Sequence, residues 1–549
     1  MRKRSPAATQ PRELYPIHIF SLIFTAIFLL HSPLLRLPYF WDEAGYYIPA
    51  AYDFFTQHAL VPQSIPSNGH PPLPAIYLAL WWKLSAFKPA VTRIAMLLVA
   101  ALGLTAVFRL ARMLTTASVA LATLLCTALF PVWFAQSSLA HADLPAAALN
   151  LWGLFFYFRY RRIENAETSA PDLLIGDAGS KLPGRSDLLA SATCFALAGL
   201  CKETAVIFPI TLAMYEAISL RNREPRNFLC PILLLLSAAP LAGWLAYHHH
   251  VTGFFFGNPE FFAYNVTSTL TPLRVVLSIC IRMWQIFGYM NLWLLTLATI
   301  WVMQYSPLGG NGNTRHRIDF QAQFRMAALI LANIAFFSLI GGADLARYLL
   351  PLYPLVILIG ISTLRRRLRE WTWAVGILIA GFVVALFYAP FGYVPPEDNL
   401  SYRNYILLHK AAANYLEQHD AQERVLSAWP ATDELSKPFL GYVRQPIKVT
   451  SIDDFSFAQL EIARAAAGQF DLALIFSTKQ EPRASLLDRW SWWERMSRRY
   501  FGFHRDLSPQ AAAHLLGGRV TWQRRQGRQW IAIVSFDRVE NAALDWQDP

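Results

Sequence analysis

The chain has 549 residues, a net charge of +12, and a composition that is 55% hydrophobic, 14% aromatic and only 15% charged. This is too apolar for a soluble protein of that length, so the composition predicts a polytopic membrane protein. The basic residues cluster at the ends of apolar stretches, which indicates membrane topology and lipid headgroups and excludes a nucleic-acid partner. The five cysteines share no metal-ligand spacing, so neither a zinc site nor disulfides are predicted.

Eleven apolar stretches predict membrane-spanning helices, since a bilayer crossing needs about 17–25 residues. They are residues 17–37, 91–113, 117–136, 144–160, 187–201, 203–220, 228–247, 275–303, 326–341, 345–362 and 371–390. A twelfth stretch, Pro72–Phe87, has about 16 residues and falls just short of that length. Its Trp81, Trp82 and Lys83 are typical of a helix at the membrane surface.

The basic residues decide whether Pro72–Phe87 crosses the membrane. If this stretch lies along the outer surface, every basic cluster falls on the cytoplasmic side, as the positive-inside rule requires. If it crosses, the clusters that follow it move outside. The sequence therefore predicts eleven spans, an outer surface helix and a cytoplasmic N-terminus at residues 1–16. The clusters are Arg2–Arg4, Arg109 with Arg112, Arg159–Arg162, Arg221–Arg226, Arg315 with Arg317, and Arg365–Arg369.

The same topology places five polar segments on one outer face of the membrane domain, which is predicted to cover residues 17–390. Ionisable residues at the ends of membrane spans are costly and often functional, so their convergence predicts a site. Two of the acids lie in the first outer loop, at residues 38–90. The segments are Asp42-Glu43, His141–Asp143, Lys202-Glu203, the loop from His248 to Arg274, and Asp344–Tyr348.

The last span delivers residues 391–549 to the outer side, where charged residues become frequent and long apolar runs stop. Strand-like and amphipathic segments predict a soluble α/β domain there. This part contains no Gly-rich phosphate loop and no nucleophile elbow. The predicted strands are Arg424–Trp429, Asp471–Phe476 and Trp530–Phe536, and the predicted helices are Tyr402–His419 and Phe457–Ala467.

Asp42 and Glu43 follow the aromatic pair Phe40-Trp41 at the outer end of the first span. Partial desolvation at headgroup level makes a carboxylate a better proton acceptor, which favours a catalytic base. The alternative is a solvated acid that begins the helix predicted at Ala44–Phe55, since Asp is a good helix cap. The residues alone leave both interpretations open.

Four further residues carry a functional and a structural interpretation each. Asp143 starts a span, so it is either a helix cap or a group that acts with Asp42. His70 precedes Pro71-Pro72 and is either a phosphate ligand or a turn residue. Lys202 and Arg347 lie between apolar stretches, where a cation pairs with an acid or an anionic ligand. Their neighbours in sequence, Glu203 and Asp344, are the acids that would pair with them internally.

In this order, these residues resemble the membrane glycosyltransferases of the GT-C class, and most closely glycosyltransferase family 39. That family and its bacterial relatives include protein O-mannosyltransferases and the lipid A aminoarabinose transferase. The resemblance covers about residues 17–362. The motifs that carry it are Asp42-Glu43-Ala44-Gly45-Tyr46, His70-Pro71-Pro72-Leu73, Asp143, Gly199-Leu200-Cys201-Lys202-Glu203, and the segment from Arg347 to Pro354.

The resemblance implies a GT-C fold and a single inverting displacement on a polyprenyl-phosphate sugar. Asp42 takes the position of the general base, and His70, Lys202 and Arg347 hold the phosphate. The implied catalytic set is Asp42, Glu43 and Asp143, and the implied binding set is Tyr46, His70, Lys202, Arg347 and Tyr348. No metal and no cofactor is expected, apart from the lipid-linked donor as substrate.

Two departures from the family pattern bear on the substrate. Gly45 stands where aminoarabinose-transferring relatives carry an arginine, which argues against that sugar. His70 stands where a lysine is frequent, which makes a phosphate contact pH-sensitive. The Trp-Trp-Asp-Tyr-Gly motif of oligosaccharyltransferases is absent, which argues against a metal-dependent N-glycosylating enzyme.

The predicted partners are the polyprenyl-phosphate sugar, membrane lipid, and an acceptor glycan, lipid or protein. The predicted location is a cell inner or plasma membrane, with the active site and the C-terminal domain on the extracytoplasmic side. A polytopic transporter or lipid flippase is the main alternative, although the ionisable groups lie at one face and no halves repeat. A third interpretation makes the outer domain functional and the spans an anchor, but eleven spans exceed what anchoring needs.

Overall fold

The computed structural model describes residues 16–169, 183–220, 228–310, 313–388, 394–479, 490–503 and 506–536. Almost all of the predicted cytoplasmic N-terminus (1–16) and the basic clusters Arg2–Arg4 and Arg221–Arg226 lie outside these ranges.

Up to residue 388, the regular elements of the described residues are helices, apart from the two-residue strands β1 (Gly309–Gly310) and β2 (Asn313–Thr314). Within the described residues, five helical segments are long and apolar enough to cross a membrane, and four further apolar helices are shorter. The helices are α1 Pro16–His31, α2 Ile48–Gln57, α3 Leu73–Leu84, α4 Pro89–Leu114, α5 Ala117–Leu129, α6 Pro131–Gln136, α7 Asp143–Ser169, α8 Pro183–Cys201, α9 Ile207–Leu220, α10 Leu229–Leu236, α11 Ala239–Thr252, α12 Pro259–Asn265, α13 Pro272–Phe287, α14 Trp293–Val302, α15 Phe320–Leu339, α16 Tyr353–Arg367 and α17 Trp371–Phe387.

Each of the eleven apolar stretches predicted as a span carries helix, but several stretches are interrupted. The stretch 275–303 is divided between α13 and α14, because Met290 has a left-handed backbone with φ 49°. The stretch 117–136 is divided between α5 and α6, where Pro131 starts the second helix. Proline lacks the amide hydrogen that helix continuation needs and fits the first helical position.

The first connection after α1 contains two departures from simple helix. Residues Glu43–Tyr47 form a turn of π-helix before α2, where the sequence predicts one helix over Ala44–Phe55. Turns of π-helix are rare in proteins, and those that occur are often found at functional sites. The predicted surface helix is present as α3, whose 12 residues span about 18 Å at a rise of about 1.5 Å per residue. That length is too short to cross a hydrocarbon core of about 30 Å.

The C-terminal part is an α/β domain with a five-stranded mixed sheet in the order β4-β3-β5-β7-β6. Strands β3, β4 and β5 are parallel, and β7 pairs antiparallel with β5 and β6. Every residue of β5 is buried, as expected for a central strand covered on both faces. The elements are β3 Val425–Ala428, β4 Val449–Ile452, β5 Leu472–Phe476, β6 Arg519–Gln526, β7 Gln529–Ser535, α18 Ser401–His419, α19 Ala431–Ser436, α20 Phe457–Ala465, α21 Ser491–Phe501 and α22 Pro509–Leu516. This confirms the predicted fold class.

The C-terminal domain packs directly on the loop that follows α1. The Tyr442 hydroxyl donates to the Tyr39 carbonyl at 2.9 Å, and the ring of Phe439 stacks on Tyr52 with centroids 4.6 Å apart. The hydroxyl oxygen of Tyr402, in α18, lies 3.1 Å from the hydroxyl oxygen of Ser138, which is in the connection after α6. The domain therefore covers the face of the helical part where the predicted site residues lie.

Candidate active site

A cavity of about 990 Å³ lies between the helical part and the C-terminal domain. Its lining includes predicted site residues from four separate parts of the chain. It also includes Val206, Phe261, Phe336 and other hydrophobic side chains. The polar and aromatic residues that the structure brings together there are Asp42, Tyr46, His70, Lys202, Arg347 and Tyr348, all from the predicted site, with Glu203 and Glu397.

Arg347 is the centre of a cluster of acidic residues at the cavity. It lies in a short 3₁₀ turn, Ala346–Leu349, and its side chain is only 4% exposed. Its guanidinium pairs with Asp42, donates to Glu397 at 2.6 Å, and has Nε 3.4 Å from Asp143. Asp344, the partner suggested by sequence proximity, pairs instead with Arg282 at 3.2 Å.

Asp42 differs from the other acids around Arg347 because its side chain is about a third exposed, at 30%. Asp143 and Glu397 are 3% and 7% exposed. Asp42 makes no helix-capping hydrogen bond, so the capping alternative does not describe it. It is the most exposed carboxylate of this cluster and lines the cavity.

Lys202 follows α8 and pairs with Asp143 at the start of α7. Its ion-pair partner is therefore not the adjacent Glu203. Its Nζ also lies 4.1 Å from the centre of the Tyr348 ring, a cation–π contact. Tyr348 in turn stacks on Phe337, with centroids 5.5 Å apart. Asp143 thus contacts both cations, and its charge positions Lys202 and Arg347 at the wall of the cavity.

His70 and Glu203 form a second polar contact, with Nδ1 and Oε2 2.9 Å apart. The His70 ring packs against the Tyr46 ring at 5.5 Å and is parallel to the Tyr47 ring at 5.9 Å. A plain turn residue does not describe this histidine, and its predicted phosphate contact remains a prediction. It is held by an acid and two aromatic rings at the edge of the cavity.

Glu43 lies away from the cavity although it follows Asp42 directly. Its side chain is fully buried and pairs with Arg93, with Nη2 and Oε2 2.9 Å apart. It also accepts from the amides of Phe40 at 2.8 Å and Ala140 at 2.6 Å. These bonds tie the loop after α1 to the connection after α6. Its predicted catalytic role is not tested by this geometry, which favours a structural one.

Burial shapes the ionisation of two groups beside Arg347. Burial raises the pKa of Glu397 to about 8, against the lowering effect of Arg347 and with the help of neighbouring carboxylates. Burial and the charge of Arg347 hold the pKa of His141 well below its usual range. Burial therefore favours the neutral forms of a carboxyl group and an imidazole beside the guanidinium.

Asp42, His141 and Glu397 have ligand atoms within 4.8 Å of one another, as a metal site requires. However, Arg347 already reaches all three: it pairs with Asp42, bonds Glu397, and lies 3.1 Å from His141 Nδ1. A guanidinium occupies the position between them, so the positive charge of the cluster comes from a side chain.

Sequence reasoning missed Glu397 and Trp429, which line the cavity from beyond the last span. For Glu397 a signal exists, since Pro395-Pro396-Glu397-Asp398 is an acid pair just after an apolar stretch, like Asp42-Glu43. For Trp429 the only signal is its position at the end of a predicted strand.

The helical part and the C-terminal domain together resemble two solved structures of ArnT from Cupriavidus metallidurans. The form bound to undecaprenyl phosphate aligns with a TM-score of 0.53 and 14% identity, over 94% of this chain and 97% of that one. The apo form aligns with a TM-score of 0.52 and 15% identity, over 94% and 98%. At this identity the likeness shows the fold. No curated protein matches the chain in sequence.

The model of the Alg9-like mannosyltransferase family matches residues 64–424, about two thirds of the chain. The matching family is therefore not family 39, and that part of the resemblance is wrong. The GT-C class and a multi-pass membrane glycosyltransferase are confirmed, which leaves the transporter and anchor alternatives without support. The chain belongs to the Alg9-like mannosyltransferase family.

Proposed function

We propose that this protein transfers a hexose, with mannose as the first candidate, from a polyprenyl-phosphate-linked donor to an acceptor hydroxyl. The transfer takes place at the extracytoplasmic face of the membrane. The family supports a mannosyltransferase activity. The observation that carries the lipid-linked donor is the lining of the cavity, which combines many hydrophobic side chains with two buried cations. A structural neighbour, ArnT, was solved with undecaprenyl phosphate, a ligand of that kind.

In this proposal the acceptor oxygen attacks the anomeric carbon, the bond from that carbon to the phosphate oxygen breaks, and the configuration inverts. The electron pair of the broken bond stays on the polyprenyl phosphate. The proton of the acceptor hydroxyl passes to a carboxylate oxygen of Asp42. Preorganised cations beside the leaving group stabilise the charge that develops on it.

Arg347 and Lys202 are the cations placed to hold the phosphate, with His70 at the edge of the cavity. In the structure both cations pair with acids, so a phosphate must compete with those acids. Arg347 is shared among Asp42, Asp143 and Glu397, and burial raises the pKa of Glu397 and so favours its neutral form. A bound phosphate that takes over Arg347 releases Asp42 as a free carboxylate beside the acceptor. Donor binding thereby creates the base.

Asp143 and Glu43 act without touching substrate in this scheme. Asp143 positions Lys202 and Arg347, and Glu43 with Arg93 fixes the loop that carries Asp42. Tyr46 and Tyr348 supply walls of the cavity. The positive-inside pattern supports an extracytoplasmic site in a bacterial-type inner or plasma membrane.

Native mass spectrometry of the protein purified from its membranes tests the donor. We expect a co-purified polyprenyl phosphate or its glycoside in the wild type, whose mass identifies the sugar. Arg347→Ala should lose it, whereas Arg403→Ala, an exposed arginine of α18, should retain it. Ordinary phospholipid alone in the wild type, or full retention in Arg347→Ala, contradicts the proposal.

A further inference from the structure

Helix α21 of the C-terminal domain has no buried residue. Trp492, Arg495 and Arg499 follow the spacing i, i+3 and i+7, which places them on one face of this helix. All three side chains are exposed, Trp492 at 53%, and Trp490, just before the helix, is exposed at 59%. Two large aromatic side chains and two arginines thus lie at the surface of one short helix.

The adjoining face of α21 attaches the helix to the protein. Trp493, Met496 and Tyr500 repeat the same spacing one residue later along the chain, and all three are half-buried. The helix is therefore held in place by one of its faces. Among the described residues, the neighbouring face with tryptophan and arginine is left at the surface.

The charge of α21 is positive, since its sequence contains three arginines and one glutamate. Glu494 pairs with Arg498 at 3.5 Å, but both side chains are more than half exposed, so this ion pair is weak. Within the part of the chain that the structure describes, no ion pair joins Arg495 or Arg499 to an acid. The exposed face therefore carries positive charge that attracts an anion.

Contacts with α13 place the C-terminal end of α21 at the level of the membrane surface. Arg274 Nε donates to the Tyr500 carbonyl at 3.1 Å, and the guanidinium of Arg274 lies 5.4 Å from the centre of the Phe501 ring. Arg274 belongs to the first turn of α13, and the segment Pro272–Asn291 is long and apolar enough to cross a membrane. The last two arginines of α21 therefore lie near the end of a span, where hydrocarbon gives way to lipid headgroups.

We propose that α21 is an interfacial helix that binds anionic phospholipid in the leaflet on which the C-terminal domain lies. Tryptophan favours the headgroup level of a bilayer, and helices with arginine beside exposed aromatic residues lie in that interface. An arginine also matches a phosphodiester with paired N–H groups. The inference goes beyond the proposed reaction and does not depend on it, since it concerns only how the C-terminal domain contacts lipid.

Native mass spectrometry with equimolar dioleoyl phosphatidylglycerol and dioleoyl phosphatidylcholine tests the lipid contact on the full-length protein. We expect the wild type to retain phosphatidylglycerol in preference to phosphatidylcholine. Arg498→Glu combined with Arg499→Glu should retain at least one phosphatidylglycerol molecule fewer than the wild type. The difference between variants is the informative quantity, because basic clusters at other span ends also bind anionic lipid.

Lys448→Glu combined with Arg464→Glu is the matched control, with the same change of charge in the same domain. Both residues are exposed and lie before the parallel strands β4 and β5, at the sheet edge opposite to the residues that line the cavity. This variant should retain as much phosphatidylglycerol as the wild type. Equal retention in the two double variants overturns the proposal. If charge reversal in α21 lowers the melting temperature, Arg498→Gln with Arg499→Gln replaces it and should show the same loss.

A photocrosslinker at position 492 tests what the exposed face contacts. p-Benzoylphenylalanine is introduced there, or at position 448 as the control, in the full-length protein in nanodiscs of the same two lipids. After irradiation, mass spectrometry should find a phospholipid adduct at position 492 and none at position 448. No lipid adduct at position 492, or a crosslink to polypeptide in its place, overturns the proposal.

Discussion

Asp42 and Glu43 are adjacent acids with opposite environments. Glu43 is fully buried, pairs with Arg93, and accepts two backbone amide hydrogens. Asp42 is 30% exposed to a cavity and pairs with Arg347, which other acids share. The comparison indicates that a carboxylate whose hydrogen-bond and ion-pair partners are all supplied by the protein stabilises the fold. A carboxylate whose ion-pair partner is shared and can be displaced is available for chemistry.

The largest expected effect is the loss of turnover when Asp42 is replaced, and it distinguishes Asp42 from Glu43. Asp42→Asn keeps the shape of the side chain but cannot accept a proton. We expect turnover of polyprenyl-phosphate mannose to fall by about 10²–10⁴-fold, the usual contribution of a general base. The melting temperature should change little. Turnover within a few-fold of wild type in this variant contradicts the assignment of Asp42 as the base.

The same comparison predicts a loss of stability for the other acid. Glu43→Gln leaves the buried guanidinium of Arg93 without its counter-charge, a change that costs about 3–5 kcal/mol in other proteins. We expect a lower yield and a lower melting temperature in detergent than for Asp42→Asn. If Glu43→Gln is as stable as the wild type but inactive, Glu43 belongs to the chemistry and the contrast fails.

A smaller effect is expected at the edge of the cavity. His70→Gln removes the partner of Glu203 and a group placed to contact phosphate. Loss of a hydrogen bond of this kind costs about 1–2 kcal/mol, so donor affinity should fall by about tenfold. Titration with a fluorescent polyprenyl phosphate measures it, with the exposed His250→Gln as control. Equal affinities in the two variants remove His70 from the donor site.

Glu397 predicts a pH dependence of stability. Its pKa is about 8 in the folded protein and 4.5 is its ordinary value, so between these values the folded state holds a proton that the unfolded state releases. Stability therefore falls as the pH rises through this window. Burial also raises the pKa of Asp398, to about 7, and its effect has the same sign. Glu397→Gln should flatten the decline in melting temperature between pH 5.5 and 8.5. Parallel curves for variant and wild type contradict this.

Chelation should have the smallest effect. Arg347 already lies among Asp42, His141 and Glu397, the residues with metal-ligand spacing. Treatment with EDTA should therefore leave the rate of transfer unchanged. Complete loss of activity with rescue by a divalent cation would show that a metal replaces the guanidinium in the working enzyme.

The sequence predicted the elements of the site better than their pairing. Charge distribution was enough to bring Asp42, Lys202 and Arg347 to one face. The partners were a different matter, since Lys202 pairs with Asp143, 59 residues away, and Arg347 with Asp42, 305 residues away. Sequence proximity suggests local partners, whereas the ends of packed helices supply distant ones.

The remaining errors concern features that tertiary packing determines. Hydrophobic periodicity does not reveal the π-helical turn at Glu43–Tyr47 or the break at Met290, since both depend on tertiary packing. In the C-terminal domain, the predicted strands β3, β5 and β7 and the predicted helices α18 and α20 lie within about two residues of their observed ends. The strands β4 and β6 and the helices α19, α21 and α22 were not predicted. The contact of Trp429 with Gly45 joins two domains, and no local pattern encodes it.

The affinity of Asp42→Asn for a polyprenyl phosphate tests the central claim most directly, because the account makes Asp42 and the donor phosphate competitors for Arg347. Removal of the competing charge should tighten binding by about fivefold or more, equivalent to about 1 kcal/mol, while turnover is lost. Unchanged or weaker binding in this variant would show that Arg347 does not pass from the base to the donor.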